Sequence, residues 1–277
     1  MEDIRSSYAL TDGLDIPVMG FGCYKAEGAE LIDAVRLAVN IGYSLLDSAA
    51  YYHNEDVVGA AIKKCGAPRE NLFVVSKIWP DAFECPVASL DKTLRDLKLD
   101  YLDAYLLHWP GLDEKKRLNA FEILLKEKEK GKIGVLGASN FLESHLTGIY
   151  DNFGFWPALN QFELHPYCQQ KDLAGFCADR GIQIISSIPL GRGKEFDNPV
   201  LGEIAAKCGK SVPQIMLRWQ IQKFYIPIPK SIHPARIEAN ADIFNFSLSE
   251  EDTRRIDALD LPNNKGRVSR DPLQFPE

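Results

Sequence analysis

Residues 45–55 read LLDSAAYYHNE, and this stretch joins a short apolar run to side chains that can carry chemistry. The apolar run ends at Asp47, three small residues follow, and Tyr52 stands five positions after the acid. An acid at the end of a buried strand, followed closely by a phenol, is typical of the opening, or mouth, of a catalytic cleft. A strand end followed by a helix cap explains the same residues, since Asp caps helices and Tyr packs in many cores. The rest of the chain decides between these two interpretations.

A pattern of strand followed by helix recurs along the chain. Apolar runs predict strands at residues 18–24, 44–46, 72–76, 102–107, 133–138, 158–160, 182–187 and 225–228. Apolar residues at helical spacing predict helices at 29–40, 56–64, 86–97, 115–130, 142–150, 169–180, 200–207, 212–222, 234–239 and 249–259.

Eight strand-helix units in 277 residues predict one domain, residues 1–277, with the α/β fold of a closed (β/α)8 TIM barrel. The strands read as continuous apolar runs because both faces of such a sheet are buried. Residues 8–18, YALTDGLDIPV, predict an N-terminal β-hairpin that covers one end. An open doubly wound sheet is the alternative, but residues 20–28, GFGCYKAEG, lack the G-x-G-x-x-G turn of dinucleotide-binding sheets.

Composition and charge restrict the classes of partner. The formal net charge of −7 disfavours nucleic acid and anionic membranes as partners, because both require clustered positive charge. Residues 1–5 resemble no secretory signal, and no apolar run is long enough to span a bilayer. Six scattered cysteines without a C-x-x-C pair predict reduced thiols and no metal site. We expect a cytoplasmic monomer that binds neither nucleic acid nor membrane.

Polar residues follow nearly every predicted strand. In a barrel the chemistry sits at the carboxyl ends of the strands, so these positions should share one mouth. Each residue alone has an ordinary explanation, such as a helix cap or a hydrogen-bonded core histidine. An acid, a phenol, a lysine and an imidazole facing one mouth favour a catalytic site. The residues at the strand ends are Asp47, Lys77, His108, Ser139, Asn140, Gln161, Ser187 and Lys230.

Six segments in order resemble the aldo-keto reductases nearly from end to end. Besides residues 45–55, they are VVSKIW at 74–79, LDAYLLHWP at 102–110, GKIGVLGASNF at 131–141, ALNQFELHPY at 158–167 and PIPKSIHPARIEAN at 227–240. The resemblance implies an NADPH-dependent enzyme that reduces aldehydes and ketones. It also implies a catalytic tetrad of Asp47, Tyr52, Lys77 and His108.

The implied chemistry suits these residue types. Adding hydride to a carbonyl leaves negative charge on oxygen, which must be stabilised and protonated. A phenol has an ordinary pKa of about 10, so Tyr52 is expected to need the Lys77 ammonium to favour its ionised form. Asp47 keeps Lys77 charged, and His108 donates a hydrogen bond to the substrate carbonyl.

The resemblance also assigns cofactor contacts. Ser139, Asn140 and Gln161 are expected to hold the nicotinamide carboxamide. Lys230, Ser231, Arg236 and Asn240 are expected to hold the adenosine phosphate, which favours NADPH over NADH. Further cofactor contacts are expected at Ser187, Pro189 and Leu190.

Two departures from the family pattern predict modest NADPH affinity. Ser187 stands where the family usually has a Tyr or Trp stacked on the nicotinamide, and a stacked ring contributes about 1 kcal/mol beyond its burial. Ala239 stands where the family usually has a Glu, and neighbouring Glu238 is a partial substitute. Arg192 and Lys194 fit either a contact with the cofactor pyrophosphate or a solvated loop.

Aromatic residues next to the tetrad predict the substrate pocket. Tyr24, Trp79 and Trp109, together with His108, are expected to form its walls, although ordinary rim packing explains the same rings. Short loops after His108 and Gly191, and a short tail after Leu261, predict an open and permissive site.

Two other functions remain open. Lys77 on a barrel strand could form a Schiff base, as in barrel aldolases, but that chemistry needs a neutral lysine and Asp47 favours a charged one. A non-catalytic NADPH-binding sensor or regulatory relative is the second alternative, which the complete tetrad disfavours.

Overall fold

A computed structural model of the protein describes residues 3–274, which contain ten strands and ten α-helices. The first two strands form the N-terminal hairpin: β1 Ser7–Ala9 and β2 Asp15–Pro17. The other strands are β3 Gly20–Gly22, β4 Leu45–Asp47, β5 Phe73–Ile78, β6 Leu102–Leu107, β7 Ile133–Ser139, β8 Leu159–Glu163, β9 Gln183–Ser187 and β10 Ile226–Pro227. The helices are α1 Gly28–Ile41, α2 Glu55–Lys64, α3 Pro86–Leu97, α4 Glu114–Glu129, α5 Glu143–Phe153, α6 Lys171–Ala178, α7 Pro199–Cys208, α8 Val212–Gln222, α9 Pro234–Ala241 and α10 Glu250–Asp257.

Strands β3 to β10 form one parallel sheet in chain order, and the sheet closes on itself. The Gly22 amide donates to the Pro229 carbonyl at 3.1 Å, which joins the first barrel strand to the segment after the last. A Cβ at Gly20 would lie 2.8 Å from Ile228 Cγ2, so a glycine permits this close approach. Helix α9 packs against α1 and completes the outer ring. The predicted (β/α)8 barrel is confirmed.

The hairpin closes the amino-terminal end of the barrel, as predicted. Tyr8 pairs with Ile16 across its two strands. Ile16 is fully buried and joins Leu10, Leu45 and Phe73 in the barrel interior. A second apolar layer lies between the strands and the helices. No helix within residues 3–274 combines the length and apolar character needed to cross a bilayer.

Several boundaries differ from the sequence prediction. Lys77 and Gln161 lie inside β5 and β8, which continue one or more residues past them. A polar side chain leaves the backbone hydrogen bonds of a strand intact, so it does not end the strand. Strand β10 has only two residues, since Pro227 and Pro229 lack the amide hydrogen that a longer ladder needs. The residue before α6, Gln170, is left-handed with φ 46°, so that helix begins later than expected.

Candidate active site

A buried lysine and an aspartate form the base of the site. Asp47 ends β4, and Lys77 lies beside it near the end of β5. The Lys77 ammonium is fully buried and donates to both Asp47 carboxylate oxygens at 2.8 Å and to the Ser48 carbonyl at 2.7 Å. Burial lowers the pKa of Lys77, and the Asp47 carboxylate opposes that shift. All three protons of the ammonium therefore have acceptors, which favours the charged form.

Tyr52 ends a short 3-10 helix, Ala50–Tyr52, above this pair. The Lys77 nitrogen lies 5.2 Å from the centre of its ring. Burial raises the pKa of Tyr52 well above its ordinary value, and the Asp47 carboxylate raises it further. The protons of Lys77 point to Asp47 and Ser48, and the expectation that Lys77 favours the phenolate stays a prediction. Tyr52 keeps its proton.

Asn54 fixes the position of the tyrosine turn. Its side-chain amide donates to the carbonyls of Cys23 and Ala26, both at 2.9 Å. These carbonyls lie on the segment after β3 that also carries Tyr24, whose ring centre lies 4.9 Å from that of Tyr52. The sequence pattern predicts a helix over residues 56–64, and α2 begins one residue earlier, at Glu55. The side chain of Asn54 does not cap that helix.

His108 follows β6 and stands across from Tyr52, with the two ring centres 5.7 Å apart and nearly perpendicular. Burial lowers the pKa of His108 well below its ordinary value, and the charge of Lys77 lowers it further. The ring is therefore neutral near pH 7. Its Nδ1 is buried without a hydrogen-bond partner among residues 3–274, and the residue lines the cleft described below.

A cleft of about 730 Å³ opens over these side chains at the carboxyl ends of the strands. It brings together nearly all of the predicted site residues. Those that line it, besides Asp47, Tyr52 and His108, are Tyr24, Trp79, Trp109, Ser139, Asn140, Gln161, Ser187, Pro189, Leu190, Arg192 and Lys230. The fully buried Lys77 lies beneath its floor.

Three polar side chains on one wall of the cleft present hydrogen-bonding groups to a ligand. Asn140 donates its amide to the His108 carbonyl at 2.9 Å, and Gln161 donates to Asp47 at 2.7 Å. Their amide hydrogens thus point into the protein, and their oxygens remain as acceptors. Ser139 accepts from Asn140 at 3.1 Å and retains its own hydroxyl hydrogen. One donor beside two acceptors is the complement of a primary carboxamide.

The predicted phosphate residues are only partly in the cleft. Lys230 lines it, whereas Ser231, Arg236 and Asn240 lie beyond it in the following turn and in α9. Lys230 and Arg236 are exposed, so both cations are accessible to an anion. The Ser231 hydroxyl accepts from the His233 amide at 3.0 Å and shapes the turn.

Several cleft residues escape the sequence prediction. Tyr51 stacks on Trp79 with ring centres 3.8 Å apart and a tilt of 11°, and it forms an outer wall. The double tyrosine is the sequence signal that could have indicated it. Three residues of the C-terminal segment, 268–270, also line the cleft. Their sequence carries no local signal, because contacts far along the chain place them.

Within residues 3–274, one group of side chains of types that can bind a metal lies close together: Glu163, His165 and Cys168. Both imidazole nitrogens already face carboxylates, Glu163 on one side and Glu195 on the other. We interpret the group as a network of hydrogen bonds and ion pairs. All six cysteine thiols are free.

Comparison with known proteins agrees with this geometry. The model of the aldo/keto reductase family matches residues 18–261. The chain is 43% identical to a glyoxal reductase of Bacillus subtilis over 97% of each chain. It is 37% identical to the methylglyoxal reductase DkgA of Escherichia coli over 96% of each. A crystal structure of a Gox0644 point mutant in complex with NADPH superposes with a TM-score of 0.93, 31% identity and 99% coverage of each chain. The chain therefore belongs to the aldo/keto reductase family.

Proposed function

We propose that the protein reduces small aldehydes and ketones with NADPH, that Tyr52 is the general acid, and that α-dicarbonyls such as glyoxal and methylglyoxal are among its substrates. One observation carries the proposal: a protonated phenol, a neutral imidazole and a buried lysine-aspartate pair meet at one cleft. The relatives named glyoxal reductase and methylglyoxal reductase support the substrate class.

His108 and Tyr52 act on the same carbonyl oxygen. The neutral imidazole donates a hydrogen bond from Nε2, which polarises the carbonyl and orients it. The reduced nicotinamide, when bound, supplies the hydride that adds to the carbonyl carbon. As that bond forms, the carbonyl π electrons move to oxygen, and Tyr52 transfers its hydroxyl proton there. The product is an alcohol, and the Tyr52 phenolate regains a proton from solvent.

The Lys77 ammonium acts after Tyr52 has transferred its proton. It lies near the Tyr52 ring, and a positive charge there stabilises the phenolate that the reaction leaves. Asp47 holds the ammonium in place and keeps it charged. The buried pair thus lowers the cost of releasing the proton without ionising Tyr52 in the resting enzyme.

The residues of the cleft fit the cofactor. Ser139 would donate to the carboxamide oxygen of the nicotinamide, and Asn140 and Gln161 would accept from its NH₂ group. Ser187, Pro189 and Leu190 would lie along the ring. Lys230 and Arg236 would bind the adenosine phosphate with Ser231 and Asn240, because two cations on an acidic protein form a local anion site.

The aromatic side chains at the opening of the cleft would select the substrate. Tyr24, Trp79 and Trp109 line the cleft, and Tyr51 extends the wall from Trp79. Flat aromatic walls suit small planar carbonyls such as dicarbonyls.

The remaining expectations concern the location, the oligomeric state and the partners of the enzyme. We propose that the enzyme acts in the cytoplasm as a monomer and binds neither nucleic acid nor membrane, in keeping with its acidic charge. The aldolase alternative is disfavoured because Lys77 has an acceptor for each of its three protons. The sensor alternative lacks support, since all four residues of the expected tetrad are present at the cleft or directly beneath it.

A spectroscopic assay tests the proposal. NADPH should quench tryptophan fluorescence, because Trp79 and Trp109 line the cleft. Adding methylglyoxal or glyoxal should then consume the nicotinamide absorbance. Binding without consumption of NADPH by any carbonyl in a broad panel would refute the enzymatic function and support the sensor.

A further inference from the structure

A buried carboxylate-histidine-carboxylate cluster lies outside the catalytic group. Its members are Glu163 at the end of β8, His165 and Glu195, and each is at most 1% exposed. His165 Nε2 lies 2.9 Å from a Glu163 oxygen, and Nδ1 forms an ion pair with Glu195. We refer to these three residues as the clasp. Buried charges destabilise a protein unless they are paired, so Glu163, His165 and Glu195 stay in contact with one another. The segments that contact the two ends of the clasp are therefore held in place.

The charge state of the clasp follows from its neighbours. Burial alone would lower the pKa of His165, but Glu163 and Glu195 together raise it to about 9. The imidazole is therefore positive at neutral pH and binds both carboxylates. Cys168 is another titratable neighbour, and burial raises the pKa of its thiol to about 12.

The Glu195 end of the clasp supports the loop after β9. A Cβ at Gly191 would lie 2.7 Å from a Glu195 oxygen and 3.3 Å from His165 Nδ1, so the loop backbone rests directly on the pair. The same loop holds Ile188 and Arg192 in left-handed conformations, with φ 52° and 53°. Such backbone is strained for a β-branched residue and persists only where surrounding contacts fix it.

The Glu163 end supports the C-terminal segment. One Glu163 oxygen accepts from the Val268 amide at 2.6 Å, and the other accepts from the Ser269 amide at 2.7 Å. Arg267 adds a hydrogen bond to Gln170 at 2.7 Å. Two adjacent backbone amides on one carboxylate fix both the position and the direction of this segment.

Both supported segments line the same cleft. Ile188, Leu190 and Arg192 come from the loop, and residues 268–270 come from the C-terminal segment. We propose that the clasp is a positioning device, which holds these two segments in place and so preorganises the cleft for NADPH. The proposal rests on the proposed function. Without the clasp, NADPH binding would have to order these two segments, and that ordering would weaken the affinity for NADPH.

Charge-removing variants test the proposal through cofactor affinity. In Glu195→Gln and in Glu163→Gln we expect the Kd for NADPH, from fluorescence quenching, to rise about tenfold, the effect of ordering one or two loop residues. At saturating NADPH we expect kcat to stay within about twofold, because the catalytic group is untouched. A merely structural role would lower the melting temperature and the active fraction while leaving Kd unchanged.

Glu127→Gln is the matched control. Glu127 is also buried and charged, and it accepts from Lys130 at 2.6 Å and pairs with Lys132 at 3.1 Å, but it does not line the cleft. Gly191→Ala provides a second route that removes no buried charge. Its methyl group would meet the Glu195 carboxylate, and Gly191 has left-handed backbone with φ 53°, so the change shifts the loop relative to the clasp. We expect Gly191→Ala to raise Kd and Glu127→Gln to leave it unchanged.

The outcomes separate the two proposals. Wild-type Kd values in Glu195→Gln, Glu163→Gln and Gly191→Ala would overturn the clasp, and so would an equal rise in Glu127→Gln. If the wild-type protein failed to bind NADPH, the proposed function itself would be wrong, and the clasp proposal would fall with it.

Discussion

Asp47 controls the charge of the catalytic group. It is the only carboxylate bonded to the buried Lys77 ammonium among the described residues. In Asp47→Asn, Lys77 would be buried without a counter-ion, and losing one partner of a buried pair costs about 3–5 kcal/mol. We expect kcat to fall at least about 100-fold, because a neutral lysine no longer stabilises the Tyr52 phenolate. Initial rates of NADPH oxidation, with denaturant unfolding in parallel, measure both effects.

Asp103→Asn is the control for this change. Asp103 pairs with Arg69 at 2.6 Å, away from the cleft. The variant should lose stability and keep kcat per folded molecule. Equal losses of kcat in both variants would contradict the special role of Asp47.

Lys230 and Arg236 should decide between the two nicotinamide cofactors. NADPH carries a phosphate that NADH lacks, and a hydrogen bond to a charged group contributes about 1.5–3 kcal/mol. In Lys230→Ala and Arg236→Ala we expect KM for NADPH to rise roughly tenfold or more while KM for NADH changes little. Similar increases for both cofactors would refute the assignment of the phosphate site.

The catalytic residues are predictable from sequence, whereas some walls of the cleft are not. Asp47, Lys77 and His108 stand at or near the ends of apolar runs, and the barrel brings all such ends to one mouth. The C-terminal segment has no such signal, because hydrogen bonds to Glu163, about a hundred residues away, fix its place. The charge of Tyr52 is also unpredictable from sequence, since it depends on where the protons of Lys77 point.

Packing of α2 against α3 depends on a glycine. A Cβ at Gly59 would lie 2.3 Å from the Leu97 carbonyl oxygen, and backbone cannot yield as a flexible side chain can. Gly59→Ala should therefore destabilise the fold by about 1–3 kcal/mol, the usual cost of overpacking. Thermal unfolding monitored by circular dichroism measures this change.

Gly202, in α7, is the matched control. Nothing lies within 4 Å of the Cβ that alanine would add there. Gly202→Ala should leave stability unchanged or raise it by up to about 1 kcal/mol, because alanine favours helix more than glycine does. If both variants lost stability equally, the proposed contact between α2 and α3 would be wrong.

Helices and strands were predictable in type and order, but their ends depend on contacts that sequence periodicity does not reveal. Lys77 and Gln161 are polar, so an apolar-run criterion ends their strands too early. At β10 the prolines shorten a strand that the apolar pattern alone would extend.

The stability of the whole molecule should depend on pH through His165. The pKa of His165 is about 9 in the fold and 6.5 ordinarily, so the folded protein binds more protons between these values. Its stabilising contribution is therefore complete below pH 6.5 and is lost as pH rises through 9. Denaturant unfolding should show the difference in stability between wild type and His165→Gln shrinking from pH 6 to about pH 9.5. A constant difference would mean that His165 is neutral throughout.

Closure of the barrel is the feature of the whole molecule that sequence predicts best. Eight repeated strand-helix units leave few topologies, and the glycines of β3 already indicate a close backbone approach. That residues 1–277 form one domain stays a prediction, and single cooperative unfolding by two independent probes would support it.

The central claim is that Tyr52 donates the proton to the carbonyl oxygen, and one comparison of variants tests it most directly. Tyr52→Phe removes the hydroxyl and keeps the ring. Tyr43→Phe is the control, since Tyr43 is buried away from the cleft, and its hydroxyl donates to the Ile237 carbonyl at 3.4 Å. With methylglyoxal, Tyr52→Phe should oxidise NADPH at least about 1,000-fold more slowly than wild type, yet bind NADPH with a Kd within about threefold. Tyr43→Phe should match wild type in both measurements. Turnover by Tyr52→Phe near the wild-type rate would contradict the claim.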